Sequence, residues 1–239
     1  MTNNSAFEAA PTAYPAQLTA HLDLTQSRWL WLFKWVLAVP HYILLVFLGI
    51  AVVVTTIISG FAILVTGRYP RGLFDFAVGV MRWAWRVAFY TYSALGTDKY
   101  PPFTLAKTDY PADFDVAYPE RLSRGLVLVK WWLLVIPHYI VVGLIVGGSY
   151  AWGYDHHNEA TSYYPGLLGI LVAIAAVILL FTARYPRGLF NLVIGLNRWV
   201  FRVHAYAGLL TDKYPPFRLD QGPIEPTAVA IAEAETPAA

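Results

Sequence analysis

Arg68-Tyr69-Pro70-Arg71-Gly72-Leu73-Phe74 returns as Arg184-Tyr185-Pro186-Arg187-Gly188-Leu189-Phe190, and Thr97-Asp98-Lys99-Tyr100-Pro101-Pro102-Phe103 returns as Thr211-Asp212-Lys213-Tyr214-Pro215-Pro216-Phe217. In both copies the pair follows a long apolar run, so the chain reads as a duplicated unit whose solvent is lipid. Composition agrees: 13% of residues are charged against 57% hydrophobic, and the mean hydropathy is +0.49. Soluble domains carry about a quarter charged residues. A net charge of +2, with Arg and Lys set beside apolar runs, excludes a nucleic-acid partner and marks the basic residues as interface anchors. The absence of cysteine removes disulfides, thiolate metal sites and cysteine nucleophiles together.

The run from Trp29 to Thr66 has Lys34 as its only charge and is about twice as long as one crossing of the hydrocarbon core requires. In the second copy the matching run is interrupted by Asp155-His156-His157-Asn158-Glu159, which reads as the polar tip of a hairpin. The copies align at an offset of 96 from Tyr14/Tyr110 through Lys34/Lys130, and at 116 from Arg68/Arg184, so the tip accounts for 20 extra residues. A short turn near Gly49 to Thr56 is then expected in the first copy. The predicted fold is an all-α integral membrane protein of two tandem helical hairpins. Its four spans lie near residues 30–49, 51–66, 131–151 and 165–183. The domain reading is a flexible N-terminal tail 1–13, unit one 14–105, unit two 106–219 and a disordered Ala/Pro/Glu tail 220–239.

Charge placement orients the hairpins. Arg28, Lys34, Arg68, Arg71, Arg124, Lys130, Arg184 and Arg187 flank one end, and the Tyr150–Tyr164 loop has Asp155 and Glu159 with no Lys or Arg. The positive-inside rule then makes both termini cytoplasmic in a multi-pass protein of the cytoplasmic membrane. No Lys or Arg precedes Arg28, so a cleaved signal peptide is not expected.

After each hairpin a third apolar stretch carries a narrow polar stripe. Asp75, Gly79, Arg82, Arg86 and Tyr90 fall at helical spacing, and Asn191, Gly195, Arg198, Arg202 and Tyr206 repeat it. Two central arginines make a crossing expensive, so an in-plane helix at the interface is expected. The segments Tyr14–Ala20 and Tyr110–Val116 alternate with period two and suit short extended pieces at the cytoplasmic face.

Guanidinium forks match phosphate oxygens. The expected lipid-headgroup residues are therefore Arg68, Arg71, Arg82 and Arg86 with Arg184, Arg187, Arg198 and Arg202, set against the plainer reading of anchoring plus pairing with Asp75 or Asp98. His41 and His138, each after a proline, are the only pair placed to ligate a haem or metal across the repeat, but no supporting carboxylate spacing accompanies them. No cofactor is expected, and no Gly-rich phosphate loop, nucleophile elbow or His-Glu-x-x-His motif occurs.

The whole unit, from Tyr-Pro-Ala through Pro-His-Tyr and Arg-Tyr-Pro-Arg-Gly-Leu-Phe to Asp-Lys-Tyr-Pro-Pro-Phe, resembles an uncharacterised family of bacterial, mainly actinobacterial, integral membrane proteins carrying a tandem domain of unknown function. The likeness runs from Tyr14 to Leu219 and implies the membrane fold without an activity. The expected function is a non-enzymatic scaffold that binds membrane lipids, anionic phospholipid among them, or a membrane-protein partner or second copy of itself. The alternatives are a small-solute permeation component and a His-ligated redox subunit.

Overall fold

In a computed structural model, residues 13–152 and 160–225 are described, and the N-terminal tail 1–12, the acidic tip 153–159 and residues 226–239 lie outside them. The apolar run of unit one forms a single helix, α1 (Lys34–Thr66). No polar or glycine-rich break interrupts it, so the turn expected near Gly49 to Thr56 is absent and the two spans predicted there are one helix. At 1.5 Å per residue it is about 50 Å long, well beyond the roughly 30 Å of a hydrocarbon core. It ends where Gly67 adopts a left-handed φ of 72°, and α2 (Arg71–Tyr90) follows after Pro70.

Unit two repeats this plan in pieces. Helix α3 (Arg124–Val129) leads through a π-helical turn at Lys130–Leu134 into α4 (Ile136–Val146), bent by 45°. A β-hairpin, β3 (Gly147–Trp152) and β4 (Ala160–Pro165), precedes α5 (Leu167–Thr182), and α6 (Arg187–Ala207) closes the unit. Under the repeat alignment, residues 130–146 match 34–50 and residues 167–182 match 51–66, so the hairpin is an insertion into the equivalent of α1. Its ends meet: Gly147 pairs with Pro165, and a Cβ on Gly147 would lie 2.3 Å from the Gly166 nitrogen.

The two Tyr-Pro segments become β1 (Ala16–Ala20) and β2 (Ala112–Val116), antiparallel partners with Leu18 opposite Phe114. The strands are exchanged between units. β2 packs on α2 of unit one, and β1 packs on α6 of unit two. Units 14–105 and 106–219 therefore share one core, in which Trp85 meets Phe201 and Phe89 meets Phe190. The ribbon rests on α2 and α6, and these rest on α1, α4 and α5. On its outer side α1 exposes an unbroken apolar row, including Trp35, Val39, Ile43, Phe47, Ile50, Val54, Ile58, Phe61 and Val65.

Candidate functional site

The eight arginines divide into two sets. Arg82, Arg86, Arg198 and Arg202 are buried, because the stripe of α2 and α6 faces the ribbon instead of a headgroup layer. Arg82 Nε donates to the Phe114 carbonyl at 2.9 Å, and its guanidinium pairs with Asp113 and Asp115 at 3.1 and 3.0 Å. Arg86 donates to the Thr104 and Ala106 carbonyls. In unit two Arg198 donates to Leu18 O, and Glu225 sits between Arg198 and Arg202, with Asp220 also 2.7 Å from Arg202. Strand β1 has Gln17 and Thr19 where β2 has Asp113 and Asp115, so the carboxylates for unit two come from beyond Leu219. Residues 220–225, assigned by the sequence reading to a disordered tail, are held to the protein by this demand for counter-charge.

The second set, Arg68, Arg71, Arg184 and Arg187, is exposed at the corners where α1 and α5 end and α2 and α6 begin. In unit one the corner is closed. Tyr118 donates to the Tyr69 carbonyl, its ring lies 4.4 Å from the Arg71 guanidinium, and Arg71 pairs with Asp75 at 3.2 Å. Ordinary partners are absent at the other corner: the guanidiniums of Arg184 and Arg187 meet no acceptor among the described residues.

The Thr-Asp-Lys-Tyr-Pro-Pro-Phe motifs lock the start of each long helix. Buried Lys34 pairs with Asp98 at 2.9 Å and donates to Thr97 O, and Lys130 does the same with Asp212 and Thr211 O. Asp98 and Asp212 also accept from the backbone N–H of Ser27 and Ser123. Tyr100 and Tyr214 donate to the carbonyls of Leu37 and Leu134, while Phe103 and Phe217 stack on His41 and His138 at 3.9 and 4.2 Å. The indole N–H of Trp83 donates to His41 Nδ1, and Trp199 to His138 Nδ1, at 3.1 and 3.2 Å. A nitrogen that accepts this bond leaves the ring proton on Nε2, so neither imidazole offers a free lone pair as it stands. The two histidines are held as packing groups, and among the described residues no cluster of three or more His, Asp or Glu could hold a metal ion.

Sequence reasoning missed Lys34 and Lys130 as buried ion pairs, and Asp113, Asp115, Asp220 and Glu225 as the stripe's partners. Their signal was present: each stripe carries two more cations than nearby helix residues neutralise.

The fold defines a mostly helical protein in which, among the described residues, one helix is long and apolar enough to cross a membrane. The chain belongs to the DUF4389 family, a domain of unknown function, whose model matches residues 28–104 and 161–218. No curated protein and no solved structure matches it.

Proposed function

We propose that this protein is a non-enzymatic scaffold of the bacterial cytoplasmic membrane, seated on the cytoplasmic leaflet and holding anionic phospholipid headgroups. One observation carries the reading: the exposed apolar side of α1 runs its full length, yet both of its ends are tied to the same ribbon-bearing cap. At the start, Lys34 is bound to Thr97, which bonds Asp23 just after β1. At the end, Gly67 O accepts from Leu122 N, and Tyr69 O accepts from Tyr118 shortly after β2. A helix fastened in this way lies along the cap, so its apolar side enters one leaflet lengthwise and the four-span arrangement gives way to an in-plane raft of α1, α4 and α5. An apolar surface of this extent marks a membrane or protein contact. Exposed Trp29, Trp35, Trp131 and Trp132 suit headgroup depth, and Arg68, Arg71, Arg184 and Arg187 supply charge for phosphates.

The natural chain has no cysteine, so single cysteines report cleanly. With an in-plane raft, Ile50→Cys stays unlabelled by membrane-impermeant maleimide from both sides, and Lys107→Cys is labelled from the cytoplasmic side. Labelling of Ile50→Cys from outside the cell would restore the hairpin topology. Equal flotation with phosphatidylcholine and phosphatidylglycerol vesicles would remove headgroup selectivity.

A further inference from the structure

The duplicated corners differ at several equivalent positions, and three of the differences converge on one place. Tyr118, which closes the unit-one corner, has Leu22 as its counterpart. Leu122, buried beside Gly67, has Gln26. Asp75, which neutralises Arg71, has Asn191. A plug is lost, an apolar wall gains an amide, and an acid becomes neutral.

The result is a cavity of about 300 Å³ lined by Leu22, Gln26, Leu179, Arg184 and Arg187 among others. It continues past Arg187 toward Asn191 and His21 in a second hollow of about 350 Å³. Gln26 is only 8% exposed, and neither its amide nitrogen nor its oxygen has a hydrogen-bond partner among the described residues. A buried amide left in that state is costly, so its presence points to a ligand that completes it. The first turn of α6 adds free backbone N–H groups, and a Cβ on Gly188 would meet open space. Asp23 also lines the cavity. Its carboxylate accepts from Thr25 N, Thr25 Oγ1 and Thr97 Oγ1 and keeps its charge, so the two arginines together leave the cavity net positive.

We infer that this corner, and not its unit-one counterpart, is a selective site for one phospholipid phosphodiester, with Arg184 and Arg187 on the phosphate and Gln26 on the polar headgroup. The inference rests on the lipid-scaffold reading and narrows it to one place. The apolar wall favours a lipid over a soluble phosphate ester: Leu179 lies in the cavity, Leu24 stands exposed at its rim, and the exposed side of α5 continues through Val177 and Phe181.

The test is lipid retention by the purified full chain in mild detergent, read by native mass spectrometry with phosphatidylglycerol, phosphatidylcholine and soluble glycerol phosphate as probes. The expected result is one phosphatidylglycerol per chain, undisturbed by glycerol phosphate. Rebuilding the closed corner with Leu22→Tyr and Gln26→Leu should cut retention about tenfold, because the ring fills the cavity and the amide's hydrogen bonds to the headgroup are lost. Arg187→Gln, an exposed change that cannot unfold the core, should do the same, while Arg121→Gln has no effect. Opening unit one with Tyr118→Leu, Leu122→Gln and Asp75→Asn should raise the stoichiometry to two. Wild-type retention in both the closed variant and Arg187→Gln would overturn the site while leaving general headgroup binding intact. Displacement by glycerol phosphate would overturn the lipid assignment. A wild type without preference for phosphatidylglycerol would end both readings.

Discussion

Glu225 is the residue whose removal most directly tests why the chain beyond Leu219 is ordered. Its side chain is 3% exposed and lies between Arg198 and Arg202, which are 0% and 2% exposed. In Glu225→Ala, Arg202 keeps Asp220 at 2.7 Å, but Arg198 is left with carbonyl acceptors alone. An uncompensated buried charge costs about 3–5 kcal/mol. For a domain of this size that lowers Tm by roughly 6–20 °C. Unit one supplies the internal control. Asp115, 45% exposed, faces Arg82 beside water and a second carboxylate, so Asp115→Ala should cost no more than about 1 kcal/mol. Replacing Arg198 and Glu225 together by Met and Leu should recover most of the loss, because the desolvation penalty leaves with the pair. The assay is thermal unfolding in one detergent at fixed protein concentration, followed by tryptophan fluorescence. If Glu225→Ala and Asp115→Ala differ by less than about 0.5 kcal/mol, the counter-charge account of residues 220–225 is wrong.

Deleting residues 147–166 joins Val146 to Leu167 at the point equivalent to Ile50–Ala51, so the shortened chain should stay folded and gain helical circular dichroism. An unfolded product would show that the hairpin is structural. Ala183 holds a φ of 55° where unit one has Gly67, so Ala183→Gly should raise stability by about 1 kcal/mol, measured by denaturant titration. Burial alone would raise the Asp23 carboxyl, but hydrogen bonds from Thr25 and Thr97 outweigh it and hold the group below the usual range. A lowered folded value makes its stabilisation complete above about pH 4 and lost as pH falls through the folded value, and Asp23→Asn should flatten that part of the stability–pH curve.

What the sequence made legible and what it hid follow from the range of each signal. The heptapeptide duplications place equivalent residues without any structure, and the 3.6-residue stripe predicts α2 and α6 because both depend on neighbours along the chain. The long helix of unit one was misread because hydropathy treats a polar hairpin tip and a polar insertion in a rod alike. Only the meeting of Gly147 and Gly166 distinguishes them. Strand exchange was hidden for a related reason: alternation in Ala16–Ala20 gives a buried face but names no partner. The arginine stripe shows how a correct local reading can reach the wrong chemistry. A guanidinium row suits phosphate or carboxylate equally, and the deciding acids of unit one, Asp113 and Asp115, lie about thirty residues on, in the other unit.

The comparison that isolates function is therefore between the repeats and not along either one. Where both copies need a feature, as with Lys34–Asp98 and Lys130–Asp212 or the tryptophan–histidine bonds, the residues match and the role is architectural. Where one copy departs at three positions that meet in space, losing a filling ring and a neutralising acid and gaining a buried amide, the fold itself offers no reason for the change. Leu122 and Tyr118 show what a stable corner looks like, and Gln26 and Leu22 depart from it. A buried amide without a partner destabilises the isolated protein, and a bound phosphodiester would return that stability by mass action. Thermal stability of the wild type should consequently rise with added phosphatidylglycerol by more than that of Gln26→Leu, and equal rises would place the lipid's effect elsewhere on the apolar surface.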